Sequence, residues 1–128
     1  MPGEKNLNIL IKNVKPFLHE GRYVFISTRS LPAISAEEII CYFREDEGTT
    51  LIIKKSKADE LQLSYSFVAS WITLRVHSSL EAVGLTARVS AALAEAGISC
   101  NAIAGFYHDH IFVPSQIQDK AMNILRKL

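Results

Sequence analysis

The sequence predicts an α+β fold of two related units, with helices on one face of an antiparallel sheet. Three observations predict it. Ile72, Leu74 and Val76 alternate with Thr73, Arg75 and His77, the period of a half-buried strand. Leu85, Val89, Ala92, Leu93 and Ala96 recur at helical spacing, and Ile117, Ala121, Ile124, Leu125 and Leu128 repeat the same offsets, so two apolar stripes face something flat. The element order is helix then three strands in the first half, and strand, helix, strand, strand, helix in the second. The kinship of the halves rests on this order alone.

Each element has its own signal. Leu7, Leu10, Ile11, Val14, Phe17 and Leu18 predict an amphipathic helix over residues 5–19, stopped by Gly21. Arg22 to Arg29 predicts a strand with Tyr23 and Phe25 on one face and Val24 and Ile26 on the other, broken by Leu31-Pro32. Ile39 to Arg44 and Thr49 to Lys54 predict a hairpin, because Glu45-Asp46-Glu47-Gly48 between them is a polar turn ending in glycine. Residues 56–61 predict a short helix or turn, and Gln62 to Ser66 is polar and aperiodic. In the second half, Ser78 and Glu81 have the spacing of a capping box before the helix at 83–96. Gly84 marks its entrance and Gly97 its exit. Ile98 to Phe106 and His110 to Val113 predict two further strands, and Pro114 ends the last of them before the final helix.

Composition excludes several classes. A chain of 128 residues can bury roughly two-thirds of its unfolded surface, enough for a real core. The net charge of +1, with acids and bases interspersed, argues against a nucleic-acid or anionic-membrane protein. Lys54-Lys55-Ser56-Lys57 is short and reads as a solvated strand end. Cys41 and Cys100 are far apart, without a CxxC partner, and read as buried, reduced thiols rather than zinc or redox ligands. No apolar run approaches 18 residues and no basic-then-apolar leader opens the chain, so the expected location is the cytoplasm.

The chemistry-bearing residues cluster late in the chain. The free N–H groups and dipole of a helix N-terminus stabilise a carboxylate without a charged side chain. Gly84, having no Cβ, lets a ligand backbone approach, or only relieves a tight turn. Asn101 offers both a donor and an acceptor, suited to the ammonium and carboxylate of an amino acid, or is a strand asparagine bonded to backbone. His108 and His110 point to one face if extended, as paired metal ligands can, with His77 as a possible third. The alternatives are a polar β-turn with Asp109 as its turn residue, or a polar lid on a ligand pocket. Glu45, Asp46 and Glu47 form a solvated hairpin tip or bind a cation or a basic ligand. Trp71 covers core or interface rather than a cofactor. No P-loop, GxGxxG or GxSxG occurs, and Ser78-Ser79 has no evident base beside it.

On these residues a resemblance rests. The words Val83-Gly84-Leu85-Thr86-Ala87-Arg88, the run from Ala91 to Asn101, and Asp109-His110-Ile111-Phe112-Val113-Pro114 make the second half similar to an ACT domain, the ferredoxin-like βαββαβ module that binds amino acids. With residues 44–49 and 77–84, nearly the whole chain resembles small stand-alone bacterial proteins of two tandem ACT-like units, and the second half resembles the ACT domains of aspartate kinases. The resemblance implies an N-terminal unit at 1–64, divergent because it starts with a helix and lacks a glycine-marked strand-to-helix turn, and a C-terminal unit at 65–128. It implies a non-catalytic regulatory module, without cofactor or metal, that senses an amino acid or similar small carboxylate. Val83, Gly84, Leu85, Asn101, Ile103 and Asp109 would bind the ligand at an interface between neighbouring units, and chains would pair as homodimers with a possible regulated protein partner. A ligand-free interaction module and a small metal-dependent enzyme using His77, His108 and His110 are the alternatives.

Overall fold

The computed structural model describes residues 3–76 and 81–128. Two compact units divide it: residues 3–20 with 70–128, and residues 21–69. His77, Ser78, Ser79 and Leu80 lie outside the described residues, and with them the proposed capping serine and third histidine.

The unit of residues 21–69 holds β2 (Tyr23–Thr28), β3 (Ile39–Glu45), β4 (Gly48–Lys54) and α2 (Lys55–Glu60), after α1 (Leu7–Asn13) and β1 (Pro16–Leu18), which belong to the other unit. β4 pairs antiparallel with both β2 and β3. The hairpin closes as expected, with Glu45 opposite Gly48 and Asp46-Glu47 as the turn. Val24, Ile26, Leu51, Ile53 and Ala58 form its core. Only Lys54 of the basic cluster ends a strand; Lys55, Ser56 and Lys57 open α2, where Lys55 pairs with Asp59 at 2.9 Å, and Lys57 with Glu60 and Glu38 at 2.6 and 3.3 Å. α2 ends with the Leu63 N–H on the Ala58 carbonyl and the Gln62 N–H on that of Asp59, a Schellman closure. The left-handed residue this needs is Gln62, at φ 55°, rather than glycine.

The other unit holds α1 (Leu7–Asn13), β1 (Pro16–Leu18), most of β5 (Val68–Leu74), α3 (Leu85–Glu95), β6 (Asn101–Ala104), β7 (Asp109–Pro114) and α4 (Gln118–Arg126). The helix expected over 5–19 is therefore only seven residues long. Asn6 caps it, its Oδ1 accepting from the Asn8 and Ile9 N–H groups at 3.0 and 3.3 Å. Pro16 shortens it, since the residues before a proline are driven to extended backbone. Phe17 and Leu18 instead pair with Thr73 and Ile72 as β1. The strand expected over 98–106 is likewise reduced to four residues, because Ile98 closes α3: its N–H reaches the Leu93 carbonyl at 2.9 Å while that of Gly97, at φ +75°, reaches Ala94.

β7 lies between β5 and β6, and β1 pairs with β5. Ile72, Leu74, Ile111 and Val113 turn one sheet face to Leu85, Val89 and Leu93 of α3, Ala121, Met122 and Leu125 of α4, and Leu10 of α1. This is the helices-on-one-face layering that alternation and the two stripes imply. Residues of opposite parity, Trp71, Thr73, His110 and Phe112, occupy the other face.

Candidate functional site

α3 begins at Leu85 with Gly84 as its N-cap, at φ +102° and ψ −13°. Only glycine visits this left-handed backbone without cost. Glycine has no side chain to cap with, so among the described residues the first-turn N–H groups have no N-cap side-chain acceptor. The direction in which a Cβ would leave Gly84 is taken by α1: Leu7 Cδ2 lies 3.1 Å from that point. The N-terminal segment is tied here again by the Lys5–Glu81 ion pair at 2.9 Å.

Asp109 completes this end of the helix. It opens β7 opposite Ala104, so it is a strand residue and not the turn residue; the turn is 105–108. Asp109 is only 8% exposed, and its carboxylate receives a hydrogen bond from the Thr86 side chain on the first turn of α3. Burial pushes its pKa above the usual carboxylate value, while the neighbouring histidines and Thr86 oppose that shift. An amide would keep the acceptor for Thr86 without the buried charge. Asp109→Asn is therefore expected to raise the thermal midpoint at pH 7. The folded pKa is raised, so the stability carried by the protonated acid fades as pH rises through it, and the advantage of the variant should shrink towards acid. A lower midpoint at pH 7 would contradict this account.

Register decides which expected residues meet. Gly84, the buried Leu85 and Asp109 gather on the helix side of the sheet, beside the exposed Val83. Asn101 and Ile103 pair with Phe112 and His110, so both lie on the opposite face. Asn101 is exposed. One chain therefore does not bring its Asn101 to its own α3 entrance.

The opposite face carries a polar chain that sequence reading missed. His19 Nε2 lies 2.7 Å from Thr73 Oγ1, which lies 3.0 Å from His110 Nδ1. Trp71 Nε1–H donates to the same His110 Nδ1 at 3.1 Å. The His19 ring stacks on Trp71 with centroids 3.5 Å apart and planes 8° from parallel, and Trp71 stacks in turn on Phe112. Trp71 thus does cover packed rings. His108 points elsewhere, its Nδ1 3.5 Å from the Val76 carbonyl. Among the described residues no three His, Cys, Asp or Glu side chains are placed to hold a metal ion. Cys41 and Cys100 are unpaired and half-buried, and burial raises the Cys100 pKa. No helix among the described residues is long and apolar enough to cross a membrane.

Comparison with known proteins agrees with this geometry. One ACT-domain family model matches residues 2–70 and a second ACT-domain model matches residues 66–127. No curated protein matches significantly. Among solved structures, a Vibrio cholerae protein of unknown function, called a possible transport protein, is 44% identical over 96% of this chain and 95% of that one, with a TM-score of 0.84. An Agrobacterium tumefaciens protein is 18% identical over 89% and 87%, with a TM-score of 0.69. The ligand-free regulatory subunit of aspartate kinase from Thermus thermophilus is 11% identical over 88% and 95%, with a TM-score of 0.60, a likeness of fold alone.

Proposed function

We propose, because this chain belongs to the ACT domain family, that its two tandem ferredoxin-like domains form a non-catalytic cytoplasmic module that senses an amino acid. ACT domains are typically regulatory modules that bind small ligands. The observation that carries the finer reading is the entrance of α3, where, among the described residues, the glycine N-cap offers the first-turn N–H groups no side-chain acceptor and the Asp109 carboxylate is held near them by Thr86. A zwitterion fits that pair of charges. Its carboxylate meets the helix N–H groups, and its ammonium meets Asp109. Val83 and Leu85 flank the ligand. Asn101 and Ile103, lying on the other face of their own sheet, come from a second copy of the chain, so the site is shared in a homodimer. In this reading residues 65–128 form the binding unit, and residues 1–64 form its divergent partner.

A thermal-shift screen of the twenty amino acids tests it. A ligand present at a hundred times its Kd should stabilise the protein by about 2.7 kcal/mol. No shift with any amino acid would remove amino-acid sensing. A second reading, a ligand-free interaction module, is favoured by Val83, Phe106 and Tyr107, exposed by 83%, 64% and 62%. It expects a stable assembly whose mass no amino acid alters.

A further inference from the structure

The sheet face opposite the helices carries, besides Asn101 and Ile103, a hydrogen-bond chain through Trp71, His110, Thr73 and His19. Its donors and acceptors can be assigned. The indole N–H of Trp71 can only donate, so His110 Nδ1 holds a lone pair and the proton sits on Nε2. With Nδ1 an acceptor, the Thr73 hydroxyl also donates to it and accepts from His19 Nε2–H. His19 and the end of β1 are bound to the same place: the His19 N–H donates to the Trp71 carbonyl at 2.9 Å, and the Arg75 N–H to that of Lys15 at 2.9 Å.

The two histidines respond differently to a proton. His19 would take it on Nδ1, leaving its bond to Thr73 intact and placing a cation on the Trp71 face, which is favourable. His110 has only Nδ1 left, the atom that two donors already address. A proton there sets N–H against N–H and O–H.

We infer that His110 is a proton-operated latch: protonation at Nδ1 unseats the Trp71 indole and, with it, the stacked His19 and the β1 edge. The groups around it favour the neutral, latched form. Thr73 comes from β5 and Arg75 from just after it, His19 from the segment after β1, and His108 from the turn 105–108; Ile103 across on β6 is uncharged, and among the described residues Asp109 is the acid that pulls on the ring. Burial first, then His108, holds His110 below the usual 6.5, against the pull of Asp109; burial, His110 and Arg75 do the same to His19. Because these pKa values are depressed in the folded state, the latch is fully stable above about 6.5 and loses stability as pH falls below it.

Trp71 is the only tryptophan in the chain, so its fluorescence reports the latch directly. In the full-length protein the emission should change reversibly between pH 7.5 and 5, with a midpoint below 6.5 and unchanged far-ultraviolet circular dichroism. His110→Asn places an untitratable acceptor where Nδ1 was, and its emission should be flat over that range. His19→Gln should keep the transition. A flat wild-type profile, or a transition undiminished in His110→Asn, overturns the inference. Should His110→Asn not fold, nitrogen NMR of wild-type histidines decides: the Trp71 Nε1–H resonance must move with the His110 titration, from an Nε2–H tautomer at pH 7.5. An Nδ1–H tautomer, or an unmoved indole resonance, overturns it. Release of β1 should cost the His19 amide about tenfold in exchange protection, one hydrogen bond's worth. Unchanged protection overturns that step.

Discussion

Replacing Gly84 with valine is expected to lower stability by about 2–4 kcal/mol, the combined cost of a left-handed β-branched residue and of crowding. At φ +102° any L side chain is strained, and a β-branched one most of all. The new Cβ would start 3.1 Å from Leu7 Cδ2, the far end of a flexible side chain that can yield a few tenths of an ångström. Valine's two methyls demand more room than that. Gly84→Ala should therefore cost only about 1–2 kcal/mol, the backbone share. Urea unfolding of the three proteins with equal slopes checks the order. A Gly84→Val midpoint indistinguishable from wild type would mean that residue 84 is not left-handed. The same arithmetic disqualifies Gly84→Val as a clean test of ligand binding, since it moves α1 and the helix entrance together. Asp109→Asn and Thr86→Val change the polar groups at that entrance while leaving its backbone alone.

What the sequence made legible follows from which forces are local. α3 is readable at its exit because Gly97 and Ile98 close it by bonds within six residues, and its stripe is continuous. α1 was overestimated because Phe17 and Leu18 continue the helical spacing, and only Pro16 marks the break. Gln62 hid the end of α2, since a left-handed glutamine leaves no compositional trace. At the candidate site, Gly84 was legible as a special backbone position, but Leu7 against it was not, being a contact over 70 residues away in sequence. The sequence alone allows Asp109 as a turn residue. A four-residue turn at 105–108 instead starts β7 one residue earlier than expected. That choice also sets the parity that puts Asn101 and Ile103 with His110 rather than with Asp109. Trp71, Thr73 and Arg75 alternate with the apolar core residues, a signal that could have exposed the second face. His19 had none, because its place depends on β1, which the helical reading erased.

Leu10→Ala is expected to cost about 3–5 kcal/mol, the range for a leucine deleted from a tight core. Leu10 is the one buried residue of α1 and is 0% exposed, enclosed by the residues that also receive α3 and α4. A helix of seven residues has no stability of its own in water, so docking is all that holds it. The partly buried Leu7, Ile11 and Val14 cannot replace the missing volume, since each sits at the rim of the same core. The loss should be visible locally first. The Leu10 N–H, bonded to the Asn6 carbonyl at 2.9 Å, should exchange faster before the Leu93-bonded amide of Ile98 does. A loss below 1 kcal/mol, or equal exchange at both amides, would mean that α1 is not integral to this core. Undocking also lifts Leu7 from Gly84, so an amino acid bound at the α3 entrance would be coupled to α1. A ligand that needs Leu7 in place should bind Leu10→Ala more weakly, in proportion to the fraction undocked.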